Sequence, residues 1–190
     1  MDSKRYEMRF AGSGGQGVIL ASVILAEAAV ISGLYTVQSQ AYGPEARGGV
    51  SKAETILSRE QIWYSKVTQP DFLLALTQAS LDAYCGNLAV GAVVMTDDSL
   101  AIPKGVDENR VISISILRAA KDKVGKSFTA NIVAVGAINA ALRLFDDDTL
   151  LEAVKRHIPP GTEEINRQAL AAGTALISQQ QAASFAQKLG

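Results

Sequence analysis

Cysteine and histidine are almost missing from this chain: Cys85 and His157 are the only ones. A single thiol excludes a disulfide framework within the chain and fits a reducing cytoplasm. A cubane iron–sulfur cluster takes four cysteines, so this chain alone holds none. One cysteine and one histidine cannot build a structural zinc site either. Neither residue reads as a nucleophile or base. Cys85 ends a predicted helix and reads as a buried structural thiol. His157 falls late in an amphipathic helix, where a cation suits the helix C-terminus. No Ser-His-Asp set and no paired carboxylates accompany them, so the sequence offers no catalytic residue. Charge is sparse: charged residues are 19% of the chain and the net charge is −1. With no basic stripe and no aromatic series for stacking bases, nucleic-acid binding is excluded. The polar start Met1-Asp2-Ser3-Lys4-Arg5 does not read as a signal peptide.

Glycine and apolar residues, by contrast, are concentrated. A strand over Tyr6–Ala11 enters Gly12-Ser13-Gly14-Gly15-Gln16-Gly17, and a helix over Val18–Ser32 leaves it. Gly12, Gly14 and Gly17 satisfy G-x-G-x-x-G in the strand–turn–helix context that gives the pattern meaning. The unpaired N–H groups at the helix start make this turn a potential seat for a phosphate or carboxylate. Anion contact and plain strand-on-helix packing both remain open readings of the glycines. The helix itself is interrupted only by Ser22 and Glu27. Apolar all round, it must be buried on all sides, yet it is too short for a membrane span of about 20 residues. A sheet covers one side only, so another subunit is expected on the other. A helix over Ala130–Phe145 has the same character, with small residues for a close helix contact.

The remaining pattern alternates strands and helices. Strands are predicted at Leu34–Ser39 and, as unalternating runs, at Phe72–Leu76, Ala92–Thr96 and Arg110–Ile114, the first of these three reading as a central parallel strand. The run Val50–Leu57 alternates and reads as an exposed or edge strand, turning at Ser58-Arg59-Glu60 to a return strand over Gln61–Tyr64. Helices are predicted from a Thr77 cap to about Gly86, over Leu117–Val124 and over Leu150–His157, and from a Thr162 cap to about Gln179. The expected fold is a single α/β domain: a Rossmann-like three-layer sandwich, its sheet mainly parallel with a hairpin at residues 50–64. Residues 179–190 read as a polar C-terminal tail or surface helix.

A dinucleotide site would place an acid about 20 residues past the fingerprint, at the end of the second strand. Ser39-Gln40-Ala41 stands there instead, which argues against NAD. No Lys-Ser or Lys-Thr follows the glycines, so a P-loop is absent. The more distinctive stretch is Tyr42-Gly43-Pro44-Glu45-Ala46-Arg47-Gly48-Gly49. Arg47 is a fixed cation able to grip a carboxylate or phosphate with two parallel hydrogen bonds. An equal reading has it bracing the loop against Glu45. In an α/β sheet both loops would stand at the carboxyl ends of strands, on one rim. The residues alone describe a binding or assembly part of something larger.

In order along the chain, these stretches, with Pro70-Asp71 before an apolar strand and Asn131-Ile132-Val133-Ala134-Val135-Gly136-Ala137, resemble the gamma subunit of 2-oxoacid:ferredoxin oxidoreductases. The match runs over roughly residues 6 to 140. Gln38-Ser39-Gln40-Ala41 and Ser51-Lys52-Ala53-Glu54 look more like the 2-oxoglutarate branch than the pyruvate or indolepyruvate branches. The resemblance implies one gamma-type domain over residues 1–178. It implies oxidative decarboxylation of a 2-oxoacid to its acyl-CoA, with electrons passing to ferredoxin. Thiamine diphosphate and magnesium would belong to alpha and beta partners, and the iron–sulfur clusters to the beta subunit or a small ferredoxin-like delta subunit. This chain would hold no cofactor alone and be inactive alone. Its glycine turn (Gly12, Gly14, Gly15, Gln16, Gly17) and loop (Tyr42, Glu45, Arg47, Gly48) are the candidates for contact with coenzyme A. A purely structural subunit, or a pyruvate- or indolepyruvate-specific homologue, stands as the alternative. The two apolar helices are expected to pack on the other subunits, and the chain expressed alone to form a homodimer or larger.

Overall fold

A computed structural model describes residues 5–41 and 50–185. Six strands form one sheet: β1 (Arg5–Ser13), β2 (Tyr35–Ala41), β3 (Val50–Ser58), β4 (Phe72–Ala75), β5 (Val93–Asp97) and β6 (Val111–Ile114). Among the described residues the α-helices are α1 (Val18–Ile31), α2 (Gln78–Tyr84), α3 (Ile116–Asp122), α4 (Ala130–Leu142), α5 (Asp147–His157), α6 (Glu163–Thr174) and α7 (Gln179–Phe185). The sheet order is β2-β3-β1-β4-β5-β6. β1, β4, β5 and β6 are parallel, and β3 is antiparallel to both β1 and β2. Only β3 therefore runs against the rest.

The layers are unequal. α2 covers one face through a small cluster of Ala11, Leu73, Ala75, Leu81 and Val94. The other face carries α1, α3 and α4, with α5, α6 and α7 closing over them. β4 is buried along its whole length, as its unbroken apolar run requires of a strand with both faces covered.

Four expectations need correction. β3 is not an exposed or edge strand: it lies between β2 and β1, and Ala53–Ser58 are all buried. Its charges alternate because Glu54 stands opposite Arg9 in register and bonds it at 2.8 Å, with Lys52 Nζ 3.1 Å from the same carboxylate. Residues 61–64 form no return strand. Both edges of β3 are already taken, so its hairpin is with the preceding β2. The chain from 59 to 68 instead straps the sheet: Arg5 donates to the Tyr64 and Lys66 carbonyls, and Arg9 to that of Val67. β6, read as unalternating, is an edge strand with Ser113 exposed.

The fourth correction concerns the apolar helices. α1 needs no second subunit to cover it, because α5 and α4 of the same chain pack on it. Its two polar interruptions are used internally. The Ser22 carbonyl accepts from Thr55 Oγ1 at 3.1 Å, and Gln38 Nε2 donates to Ser22 Oγ at 3.0 Å. Glu27 takes Arg156 Nη1 at 2.7 Å from the last turn of α5. In α4 every residue but Ala140 is buried. Its small residues do serve a close helix contact, but with α6: a Cβ on Gly136 would run into the Leu170 carbonyl, and one on Gly173 into that of Val133. α7 lies within residues 179–190 and buries Ala182 and Phe185, and it packs on α4.

Candidate functional site

The glycine turn follows the last residue of β1, at the end of the sheet where β1, β2, β4 and β5 all finish. The register fixes what stands beside it. Ser13 pairs with Val50, and Ala11 pairs with Lys52, which pairs in turn with Ala41. Ala41 and Val50 are the two roots of the 42–49 loop, so loop and turn spring from one rim. Tyr42, Glu45, Arg47 and Gly48 themselves lie outside the described residues.

Within the turn the candidates divide. Gln16 is spent on structure. Its Oε1 accepts the Ser13 N–H at 2.8 Å, and its Nε2 donates to the Leu76 carbonyl at 3.1 Å. That side chain ties the turn to the β4–α2 junction and also fills the space where a Gly12 Cβ would go, 2.6 Å from Oε1. Gly17, the residue before α1, has φ +70°, and a Cβ there would lie 2.6 Å from Asn131 Nδ2. Gly12 and Gly17 are thus required by packing. Gly14 and Gly15 are exposed, and a Cβ on either would meet nothing within 4 Å. They are the two glycines that leave the turn open to an incoming group.

The start of α1 is rich in unused donors. No side chain caps it and no acid sits in its first turn. The first intrahelical bond is from Ala21 to the Gly17 carbonyl, which leaves the Val18, Ile19 and Leu20 N–H groups without a helical acceptor. Beside them lies Asn131, the second residue of α4, 5% exposed and pressed against Gly17. Among the described residues its carboxamide finds no hydrogen-bond partner. The other asparagine of α4 shows the contrast: Asn139 both donates to and accepts from the Phe145 backbone, closing the helix. An unbonded carboxamide at this rim is free to donate to or accept from an incoming group. Main-chain N–H groups at a helix start and a free carboxamide together suit an anion such as a phosphate. Asn131 was quoted in the sequence only within a motif. Its signal is a polar residue near the start of a mostly apolar helix.

The other reactive groups stand away from this rim or are occupied. Cys85 caps the end of α2, half-buried beside Leu88, and burial pushes its thiol up. His157 ends α5 with Nε2 3.5 Å from Glu27 Oε2, an ion-pair distance without a hydrogen bond. The buried Asp97, at the end of β5, accepts from Ser99 N, Ser99 Oγ and Leu117 N, and so positions α3. Among the described residues no group of three or more His, Cys, Asp or Glu side chains converges as a metal site. No described helix is long and apolar enough to cross a membrane.

Comparison with known proteins follows the same lines. The family profile for pyruvate ferredoxin/flavodoxin oxidoreductase matches residues 7–176. The chain is 44% identical over 184 residues to the 2-oxoglutarate synthase subunit KorC of Methanothermobacter marburgensis, covering 93% of this chain and 99% of that one. The keto/oxoacid ferredoxin oxidoreductase gamma subunit of Geobacter sulfurreducens superposes with a TM-score of 0.80 at 42% identity, over 92% of this chain and 97% of that one. A 2-oxoglutarate:ferredoxin oxidoreductase from Magnetococcus marinus, solved with 2-oxoglutarate, coenzyme A and succinyl-CoA bound, shares the fold. There the TM-score is 0.80 at 22% identity, and this chain spans 31% of the longer one.

Proposed function

The chain belongs to the pyruvate ferredoxin/flavodoxin oxidoreductase family, and from that membership we propose that it is the gamma subunit of a cytoplasmic complex that decarboxylates 2-oxoglutarate oxidatively to succinyl-CoA and reduces ferredoxin. The 44% identity to a 2-oxoglutarate synthase subunit over nearly the whole of both chains supports the choice of substrate. Thiamine diphosphate, magnesium and the iron–sulfur clusters belong to the alpha, beta and delta partners, and they supply the carbon and electron chemistry. This chain contributes a rigid α/β body and one side of the coenzyme A site.

The observation that carries this role is the pairing of the uncapped α1 N-terminus with the unbonded Asn131 carboxamide, on the rim from which the Tyr42–Gly49 loop springs. Coenzyme A brings phosphates, and two of them find matching donors here. The Val18, Ile19 and Leu20 N–H groups face one phosphate across the open Gly14-Gly15 turn. Asn131 donates its unbonded amide to the same group. Arg47 closes on a second phosphate with its planar fork. Gln16 acts as the strut that keeps the turn in shape.

The test is steady-state kinetics of the reconstituted complex carrying Asn131→Ala or Arg47→Ala. Loss of one charge-assisted contact is about tenfold in affinity. The KM for coenzyme A should rise by about that factor, with the KM for 2-oxoglutarate unchanged. An assembled complex with an unaltered KM for coenzyme A removes the ligand role and leaves a purely structural subunit.

A further inference from the structure

The two edges of the sheet are treated differently. β6, at one edge, is four residues long. β2, at the other, runs for seven residues, Tyr-Thr-Val-Gln-Ser-Gln-Ala, with no charge and no proline. It pairs only with β3, so among the described residues no strand takes up its outer row of N–H and C=O groups, and the Ser39 carbonyl accepts only locally, from Gln38 Nε2 at 3.3 Å. Tyr35, Ser39, Gln40 and Ala41 are exposed. Tyr35, 53% exposed, opens the strand, and Val30, 55% exposed, lies five residues before it at the end of α1. Natural sheets usually blunt an edge with lysine, proline, a bulge or shortness. β2 carries none of these devices. The charges nearest in the sheet, Lys52 and Glu54, are on β3 and are paired with one another.

We propose that β2 is a self-pairing edge: two copies of this chain join β2 to β2 antiparallel about a two-fold axis, making one continuous sheet. An edge strand supplies backbone donors and acceptors, and only another strand matches them. A two-fold puts the same patch on both sides, so the patch must tolerate itself. β2 does. With all seven residues overlapped, Gln38 faces Gln38 of the second copy. Val37 then faces Ser39, Thr36 faces Gln40 and Tyr35 faces Ala41. No like charges meet at any position, which is the electrostatic condition for self-association. Pairing also covers Tyr35 and brings cover toward Val30. The proposal is independent of the coenzyme A reading, because the strand and not the rim carries it.

The test uses the full-length chain alone. Sedimentation equilibrium should show a dimer at roughly 100 μM, well above a micromolar dissociation constant. Ser39→Lys changes an exposed position and sets two like charges on diagonal neighbours about 7–8 Å apart. It should raise the dimer dissociation constant about tenfold or more, with an unchanged far-ultraviolet spectrum and melting temperature in dilute solution. Val37→Cys with Ser39→Cys, in a Cys85→Ser background, should give a covalent dimer on mild oxidation. A chain that is monomeric at that concentration overturns the proposal. So does a dimer indifferent to Ser39→Lys, which would be built on another face, and so does failure of the cysteine pair to cross-link.

Discussion

Gly17 and Gly14 sit three residues apart and answer differently to one added methyl. At Gly17 the methyl meets Asn131 and the backbone is left-handed. Gly17→Ala should cost roughly 2–4 kcal/mol, from conformational strain plus overpacking. Gly14→Ala meets open space and should stay within about 0.5 kcal/mol of wild type. Urea denaturation of the two variants checks both. The G-x-G-x-x-G spacing showed that a turn stood here, but not which glycines were structural, because that depends on a helix over a hundred residues away. Asn131 was hidden for the same reason. Tyr6 offers a second residue-scale test. Its hydroxyl is buried with no partner, and burial pushes its ionisation well up. Tyr6→Phe should leave stability unchanged or raise it by about 1 kcal/mol.

At the scale of elements, α1 and α5 are joined by the Glu27–Arg156 contact. The Arg156 hydrogen bond holds the Glu27 carboxyl below the usual range, against the opposing pull of partial burial, and His157 adds to the effect. A carboxyl depressed in the folded state stabilises it above its unfolded pKa of about 4.3. That contribution is lost as pH falls through the lower, folded value. Melting curves of wild type and Arg156→Gln should therefore differ at neutral pH and converge as the pH falls below the ordinary carboxylate range. The α4–α6 contact is tighter, with each glycine against a backbone carbonyl of the other helix. Gly136→Ala pushes a methyl into the Leu170 carbonyl. It should cost about 3 kcal/mol, near the top of the overpacking range. Periodicity located these helices well. It could not say that α4 is covered by α6, since an apolar helix looks the same whether its cover is its own chain or another. β3 was misread for a related reason. Alternating Lys52 and Glu54 look solvated until Arg9 is found opposite Glu54 across the ladder.

For the whole molecule, the α/β class and the central position of β4 were legible from unbroken apolar strands between helices. The strand order was not, because the reversal of β3 depends on which of two hairpins forms. The single Cys85 and single His157 were legible too, and they set the limit on what one chain can do. The central claim is that this polypeptide supplies shape and a coenzyme A contact while its partners perform the redox chemistry. The most direct measurement is 2-oxoglutarate- and coenzyme A-dependent reduction of ferredoxin, by the purified chain alone and after addition of the other subunits. The account predicts no turnover from the chain alone and full turnover once the complex is assembled. Ferredoxin reduction by the isolated chain would contradict it.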